Sequence, residues 1–315
     1  MGALMTGALR ITCRFLLAAA GVGLYGCTTP PDDGDGAGSA AAITTGEPEY
    51  FIVTRPDPRE CKPPLCGGWF IKRINAPMTT CSDGRASEDC YVASIETAGL
   101  ALSQREDRDV QTAVHAGKAI VKARTVTTDH AGTPLARLDA VEAWVGATGT
   151  AASGTFYRLR KNADRCAGPA CAELSAEVLH GTGVHAVTDI ELGATESTAL
   201  GELAGHALDT GDGIVVAGRI ETAACVASEY YLRFTRREGK DCGTSKGVCN
   251  LGQYCDHAPA AACGTTDAPG ACTYKPALCT EIYQPVCGCD DVTYGNACDA
   301  ATNGISIKSF GVCPR

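Results

Sequence analysis

The chain has 315 residues, a formal charge of −9, 45% hydrophobic and 20% charged residues, and 19 cysteines. That length admits two or three domains, and that composition excludes a disordered or fibrous protein. The acidic balance excludes nucleic-acid binding through phosphate neutralisation, and it excludes adhesion to an anionic membrane by charge alone. The cysteines form no C-x2-C pair and the six histidines are scattered, so disulfides in an oxidising compartment are expected rather than zinc.

Residues 1–26 read as a signal peptide. Arg10 and Arg14 precede an apolar stretch from Phe15 to Leu24, which is too short to span a bilayer comfortably. Leu24-Tyr25-Gly26-Cys27 resembles the bacterial lipobox, although Tyr25 departs from the usual small residue. The resemblance implies lipidation at Cys27 and a membrane anchor; an ordinary cleaved signal with a coincidental cysteine is the alternative. Losing the two arginines leaves 25 basic against 36 acidic residues, or −11. Residues 27–49 contain Pro30-Pro31-Asp32-Asp33-Gly34-Asp35-Gly36 and then small residues, so a flexible tether is expected. An EF-hand is excluded because Ile43 and Thr44 stand where its final Glu would be.

Residues 50–240 read as a duplicated domain, with copies at about 50–150 and 151–240. Cys61 and Cys66 recur as Cys166 and Cys171, and at the same offset of 105 Phe51 meets Phe156, Arg55 meets Arg160 and Pro64 meets Pro169. At an offset of 95, Ile95-Glu96 meets Ile190-Glu191, and Ile120-Val121 and Arg124 meet Val215-Val216 and Arg219. Strands are expected at 50–54, 69–75, 91–96, 119–125 and 140–145, and again at 156–160, 185–191, 214–220 and 230–234. Helical spacing marks 103–114 and 197–208, with Leu200, Leu203, Ala204 and Ala207 on one face. The expected class is α+β: a duplicated β-rich middle domain with one helix per repeat, followed by a small disulfide-rich module.

Nothing in the middle domain reads as a catalytic constellation, and no enzyme is expected. His180 and His185 flank Gly-Thr-Gly, with Gly181 and Gly183 as turn residues. Gly243-Thr244-Ser245-Lys246-Gly247 matches G-x-S-x-G but lacks the strand-to-helix setting that a nucleophile needs. Local bridges Cys61–Cys66, Cys81–Cys90 and Cys166–Cys171 are the simplest scheme and leave Cys225 over, although connectivity is not deducible from sequence. No metal or cofactor is implied.

From Cys242 onward ten cysteines fall in 74 residues, a density that replaces an apolar core with cross-links. Residues 241–271 read as a cysteine-rich segment in which Cys242, Cys249, Cys255 and Cys263 form two bridges. In Cys279-Thr280-Glu281-Ile282-Tyr283-Gln284-Pro285-Val286-Cys287, and again in Thr293-Tyr294-Gly295-Asn296-Ala297-Cys298, residues 272–315 resemble the Kazal-type serine protease inhibitors. The preceding segment loosely resembles follistatin-like modules. The whole resembles bacterial, myxobacterial-type lipoproteins in which an uncharacterised domain accompanies a Kazal module.

The Kazal resemblance implies a short antiparallel sheet with one helix, bridges Cys279–Cys298 and Cys287–Cys313, and a reactive loop over Cys279, Thr280, Glu281, Ile282 and Tyr283. Glu281–Ile282 would be the scissile bond, supported by Asn296 and Tyr294. The family's fifth cysteine is absent, with Ala301 and Thr302 there instead, so Cys272 is expected to close onto the extra Cys289. Asp291 replaces a turn glycine. The implied partner is a serine protease, of the glutamyl-specific kind because Glu281 would be repelled by a tryptic pocket. The alternative is a non-inhibitory surface-binding protein with the Kazal unit as scaffold.

Overall fold

The computed structural model describes residues 43–314, except 163–171, 193–197, 210, 244–245 and 266–267. The leader, Cys27, the Cys166–Cys171 pair and Thr244-Ser245 lie outside the described residues. No described helix is long and apolar enough to cross a membrane.

The first half builds a closed barrel from β1 (Ile43–Pro56), β2 (Trp69–Arg73), β5 (Cys90–Val92), β6 (Ser94–Glu96), β7 (Ala119–His130) and β8 (Thr133–Gly146). Between β2 and β5, a separate hairpin is formed by β3 (Thr79–Thr80) and β4 (Ala86–Ser87). β1 pairs antiparallel with β2 and β7, β2 with β5, and β7 with β8. β6 continues the line of β5 and pairs parallel with β8, which closes the ring. Alternation decides what fills it: Ala119, Val121 and Ala123 point inward with Phe51, Val53, Ile71, Val92 and Leu138. Helix α1 (Gln104–His115) plugs one end with Val110, Ala113 and Val114. Its start is fixed by a capping box, in which the Ser103 hydroxyl accepts from the Glu106 amide and the Glu106 carboxylate accepts from the Ser103 amide.

The second half has the same connectivity: β9 (Thr155–Lys161), β10 (Leu174–Val178), β11 (Val184–Val187), β12 (Asp189–Glu191), helix α2 (Thr198–Asp209), β13 (Ile214–Glu221) and β14 (Ala224–Phe234). β12 pairs parallel with β14 and closes this barrel as β6 closes the first. Ala204, Ala207 and Leu208 of α2 pack on Leu159, Ile214, Val216 and Tyr230. The barrels join where β8 pairs antiparallel with β14, making one continuous sheet. A third apolar cluster fills the seam with Tyr50, Ile74, Ile120, Trp144, Leu179, Val215 and Tyr231.

Two residues cross that seam reciprocally. Asn75 accepts from the Phe156 amide through Oδ1 at 2.8 Å and donates to the Leu179 carbonyl at 2.9 Å. His180 accepts from the Tyr50 amide through Nε2 at 2.8 Å, with Nδ1 3.0 Å from the Ile74 carbonyl. Both sit at positive φ, 54° and 60°. These bonds fix the imidazole as neutral with its proton on Nδ1, and burial accordingly pushes the His180 pKa down.

Two sequence expectations are corrected here. The predicted tether over 27–49 gives way to strand at Ile43, because β-branched Ile43-Thr44-Thr45 find partners in Thr127-Val126-Thr125 of β7. Phe51 matches Tyr157 rather than Phe156: Phe51 and Tyr157 face the barrel interiors, whereas Tyr50 and Phe156 face the seam. A bulge between Val53 and Arg55 in β1 inserts one residue, so the offset of 105 holds only beyond it.

The chain then enters a three-stranded sheet of β15 (Asp241–Cys242), β16 (Gln253–Asp256) and β17 (Gly270–Tyr274), with β17 in the middle. A second small sheet follows, of β18 (Val286–Gly288), β19 (Thr293–Tyr294) and β20 (Ile307–Phe310), with helix α3 (Ala297–Thr302) against it. The boundary read at 271/272 therefore falls inside β17.

Candidate functional site

The segment Cys279–Cys287 runs without regular structure as far as Pro285, where it enters β18, and its middle is exposed. Ile282 retains 59% of its accessible surface and Tyr283 73%, and Glu281 is also exposed. Four connections hold the segment. Cys279 is bridged to Cys298 in α3, and Cys287 in β18 to Cys313. The Gln284 amide donates to the Gly295 carbonyl at 2.9 Å.

The fourth connection is Asn296, the N-cap of α3. Its Oδ1 accepts from the Asp299 amide at 3.0 Å, which orients the side chain. Its Nδ2 then donates to the Thr280 carbonyl at 3.2 Å and to the Ile282 carbonyl at 3.1 Å. These two acceptors flank Glu281, so one side-chain amide clamps the backbone on both sides of that residue. Tyr294 does not join this support: its hydroxyl donates to Asp290 at 2.7 Å and braces the turn after β18 instead. Asp291 in that turn has φ 61°, a left-handed backbone that Asp tolerates.

The third predicted bridge is corrected. Cys272 does not meet Cys289; it is bridged to Cys249, and Cys289 to Cys263. Nor do the four preceding cysteines pair among themselves twice, since only Cys242–Cys255 forms. The reason is strand position. Cys272 lies in the middle strand β17, where its sulfur is within 4.8 Å of those of Cys242 and Cys249, while Cys289 follows β18 beside the turn at Cys263. Those three clustered sulfurs belong to disulfides and form the small core of this sheet. The Cys263–Cys289 bridge thus ties the loop-bearing sheet to the segment before it.

That segment is docked on the first barrel by a residue the sequence reading passed over. Glu106 is fully buried, and one carboxylate oxygen accepts from the amides of Arg237 and Glu238, each at 2.6 Å, with Asn250 and Gln253 beside it. Burial pushes this carboxyl upward, but the amides of Ser103, Glu238 and Arg237 outweigh it and hold the pKa below the ordinary value. Tyr274 of β17 donates to Asp109 at 2.6 Å, and the Arg105 guanidinium stacks on its ring at 3.7 Å. Ser103-x-x-Glu106 is visible in the sequence as a cap signal, but the loop it captures is 131 residues away.

The remaining candidates sit in structural surroundings. His180 is a seam residue, and His185 packs edge-on against Tyr157. Gly243 and Gly247 form an isolated bridge with no helix after them, unlike a nucleophile turn. Cys225 is buried and has no bridge among the described residues; it lies opposite Ile190, as Leu138 lies opposite Ile95. Burial raises its thiol to about 11, so it serves as a small apolar residue.

A family model described as a domain of unknown function (DUF6748) matches residues 50–236, more than half of the chain and the span of both barrels. The chain belongs to the DUF6748 family. Beyond its DUF6748 region, a model of the Kazal-type serine protease inhibitor domain matches residues 271–313. The ovomucoid of Geococcyx californianus is 39% identical over 46 residues, covering 13% of this chain and 85% of the ovomucoid sequence. The C-terminal module is therefore of the Kazal type, whose family-level role is serine protease inhibition. No solved structure matches the chain. Seven bridges among the described residues fit a protein that resides outside the reducing cytoplasm.

Proposed function

We propose that the protein inhibits a serine endopeptidase through the Cys279–Cys287 loop, with Glu281 entering the primary pocket and Glu281–Ile282 as the attacked bond. The observation that carries this reading is the pair of hydrogen bonds from Asn296 to the Thr280 and Ile282 carbonyls. Fixing a flexible substrate backbone costs about 1–2 kcal/mol per residue. A loop already held at both carbonyls and both ends avoids most of that loss on binding, so affinity rises. The same clamp keeps the new amine beside the acyl carbon after attack, so resealing competes with hydrolysis.

The side chain at 281 sets the target. A tryptic pocket has an Asp at its base, and an unpaired buried carboxylate against it costs several kcal/mol. A pocket lined with basic or hydroxyl groups, of the glutamyl-specific kind, accepts it. The reading includes a lipid anchor at Cys27, which would hold the inhibitor at a bacterial membrane surface. It also includes an origin of the two barrels by duplication; matching connectivity and the reciprocal Asn75 and His180 bonds support that origin.

The test is titration of the full chain against a glutamyl-specific endopeptidase and trypsin, with Glu281→Lys as the paired variant. Tight inhibition of the first, moved to trypsin by the substitution, is expected. Inhibition of neither enzyme by either form overturns the reading.

A further inference from the structure

One difference between the two barrels lies in a connection. The connection between their second and third strands spans residues 74–89 in the first barrel and 179–183 in the second. The longer connection carries the β3–β4 hairpin and the Cys81–Cys90 bridge. It stands on the barrel as a wall with a cavity on either side, one of about 500 Å³ and one of about 680 Å³. The larger lies between this hairpin, the loop that joins the first and second strands, and the residues after the β7–β8 turn, over Tyr91 of the third strand. In five-stranded barrels with one parallel closing pair, the face of the second and third strands with the two flanking loops is where oligonucleotides and oligosaccharides bind.

The lining decides between those ligands. The charged side chains of the lining are Arg59, Arg85, Asp83 and Asp89, so the cleft is neutral overall; Arg59 is engaged by Asp57 and Asp89 by Arg55, which leaves Arg85 and Asp83 as the freer pair. A phosphate backbone requires a positive surface, and the chain carries −9. A neutral sugar polymer presents hydroxyls that both donate and accept, which suits planar guanidinium and carboxylate groups side by side. Leu65, which is exposed, supplies apolar surface for the C–H face of a pyranose ring, beside the Arg59 guanidinium that covers Tyr91. The cleft is also braced before any ligand arrives. Cys61–Cys66 ties one wall, Cys81–Cys90 the other, and Arg59 is held on the Tyr91 ring by a two-pronged bond to the buried Asp57. Preorganisation of this kind lowers the cost of binding.

We propose that this cleft on the first barrel binds a neutral oligosaccharide, so that the protein attaches to a glycan through one end and meets a protease with the other. The test is calorimetric titration of the full chain with cellohexaose, maltohexaose, chitohexaose and a short oligothymidylate. Arg85→Ala is the diagnostic variant, because that side chain is 86% exposed and holds no fold contact beyond Asp83 at 3.7 Å. Saturable binding of at least one hexasaccharide is expected, weakened about ten-fold in Arg85→Ala as for loss of a charged hydrogen bond, with an unchanged melting temperature. Inhibition of the protease by the loop stays unaltered in that variant. Failure of all three sugars to bind, binding indifferent to Arg85, or binding of the oligothymidylate alone overturns the proposal.

Discussion

The barrels and the loop-bearing module solve the same stability problem with different means. The barrels close their strands into rings and fill three apolar clusters, and of the two described bridges there Cys61–Cys66 lies in a loop while Cys81–Cys90 ties the β3–β4 hairpin to β5. The module from Cys242 to Cys313 has two sheets of three short strands, a core largely of cystine, and five bridges. Small domains lack the volume to bury enough apolar surface, so cross-links that restrict the unfolded chain take over. The part that must present an exposed, rigid loop is thus the part that depends on covalent bonds. The barrels give it a rigid platform.

Reduction breaks this contrast most severely. With dithiothreitol under native conditions, amides of 242–314 should exchange freely with deuterium while those of β7, β8, β13 and β14 stay protected. Each native bridge in such a module contributes about 2–4 kcal/mol, and five are lost together. Equal loss of protection in both regions would show that the barrels also rest on their bridges.

Glu106→Ala comes next, because it strands the Arg237 and Glu238 amides where the regions meet. A loss of about 3 kcal/mol is expected in denaturant unfolding, with faster exchange over 236–256 than within the barrels. The Glu106 pKa is lowered by folding, so its contribution is complete above the ordinary carboxylate range and disappears as pH falls through the lower folded value. Gln at 106 should remove that acid limb.

His180 offers the smallest and sharpest comparison, between barrel and barrel. His180→Ala removes two hydrogen bonds and should cost about 1–2 kcal/mol. His180→Asn should cost far less, since Asn75 makes the same two bonds across the seam at a similar φ. Because folding lowers the His180 pKa, its contribution is full above about 6.5 and declines as pH falls below it. The Asn variant should lose that dependence, and a melting curve against pH measures it.

Much of this organisation was legible in the residues. Both helices and nine strand positions follow from helical spacing, β-branched and aromatic content and turn residues, and the Kazal blocks placed Asn296 beside Glu281. The barrel closures did not follow. β6 and β12 are three residues each and pair parallel with strands far along the chain, which no local pattern announces. β10 escaped because Leu174-Ser175-Ala176-Glu177-Val178 carries one β-branched residue. Cystine partners were legible where the family's spacing was kept and misread where Cys289 replaced the missing fifth cysteine. Sequence spacing did not show that β17 would carry Cys272 to Cys249.

The central claim is that Asn296 holds the backbone around Glu281 rigid enough to resist a protease. It is tested most directly by the rate at which a glutamyl-specific endopeptidase cuts Glu281–Ile282 in the full chain, followed by mass spectrometry after reduction. The wild type should be cut slowly and reach an equilibrium between intact and cleaved forms, whereas Asn296→Ala should be cut at least about ten-fold faster and run to completion. Equal and complete cleavage of both would contradict the account.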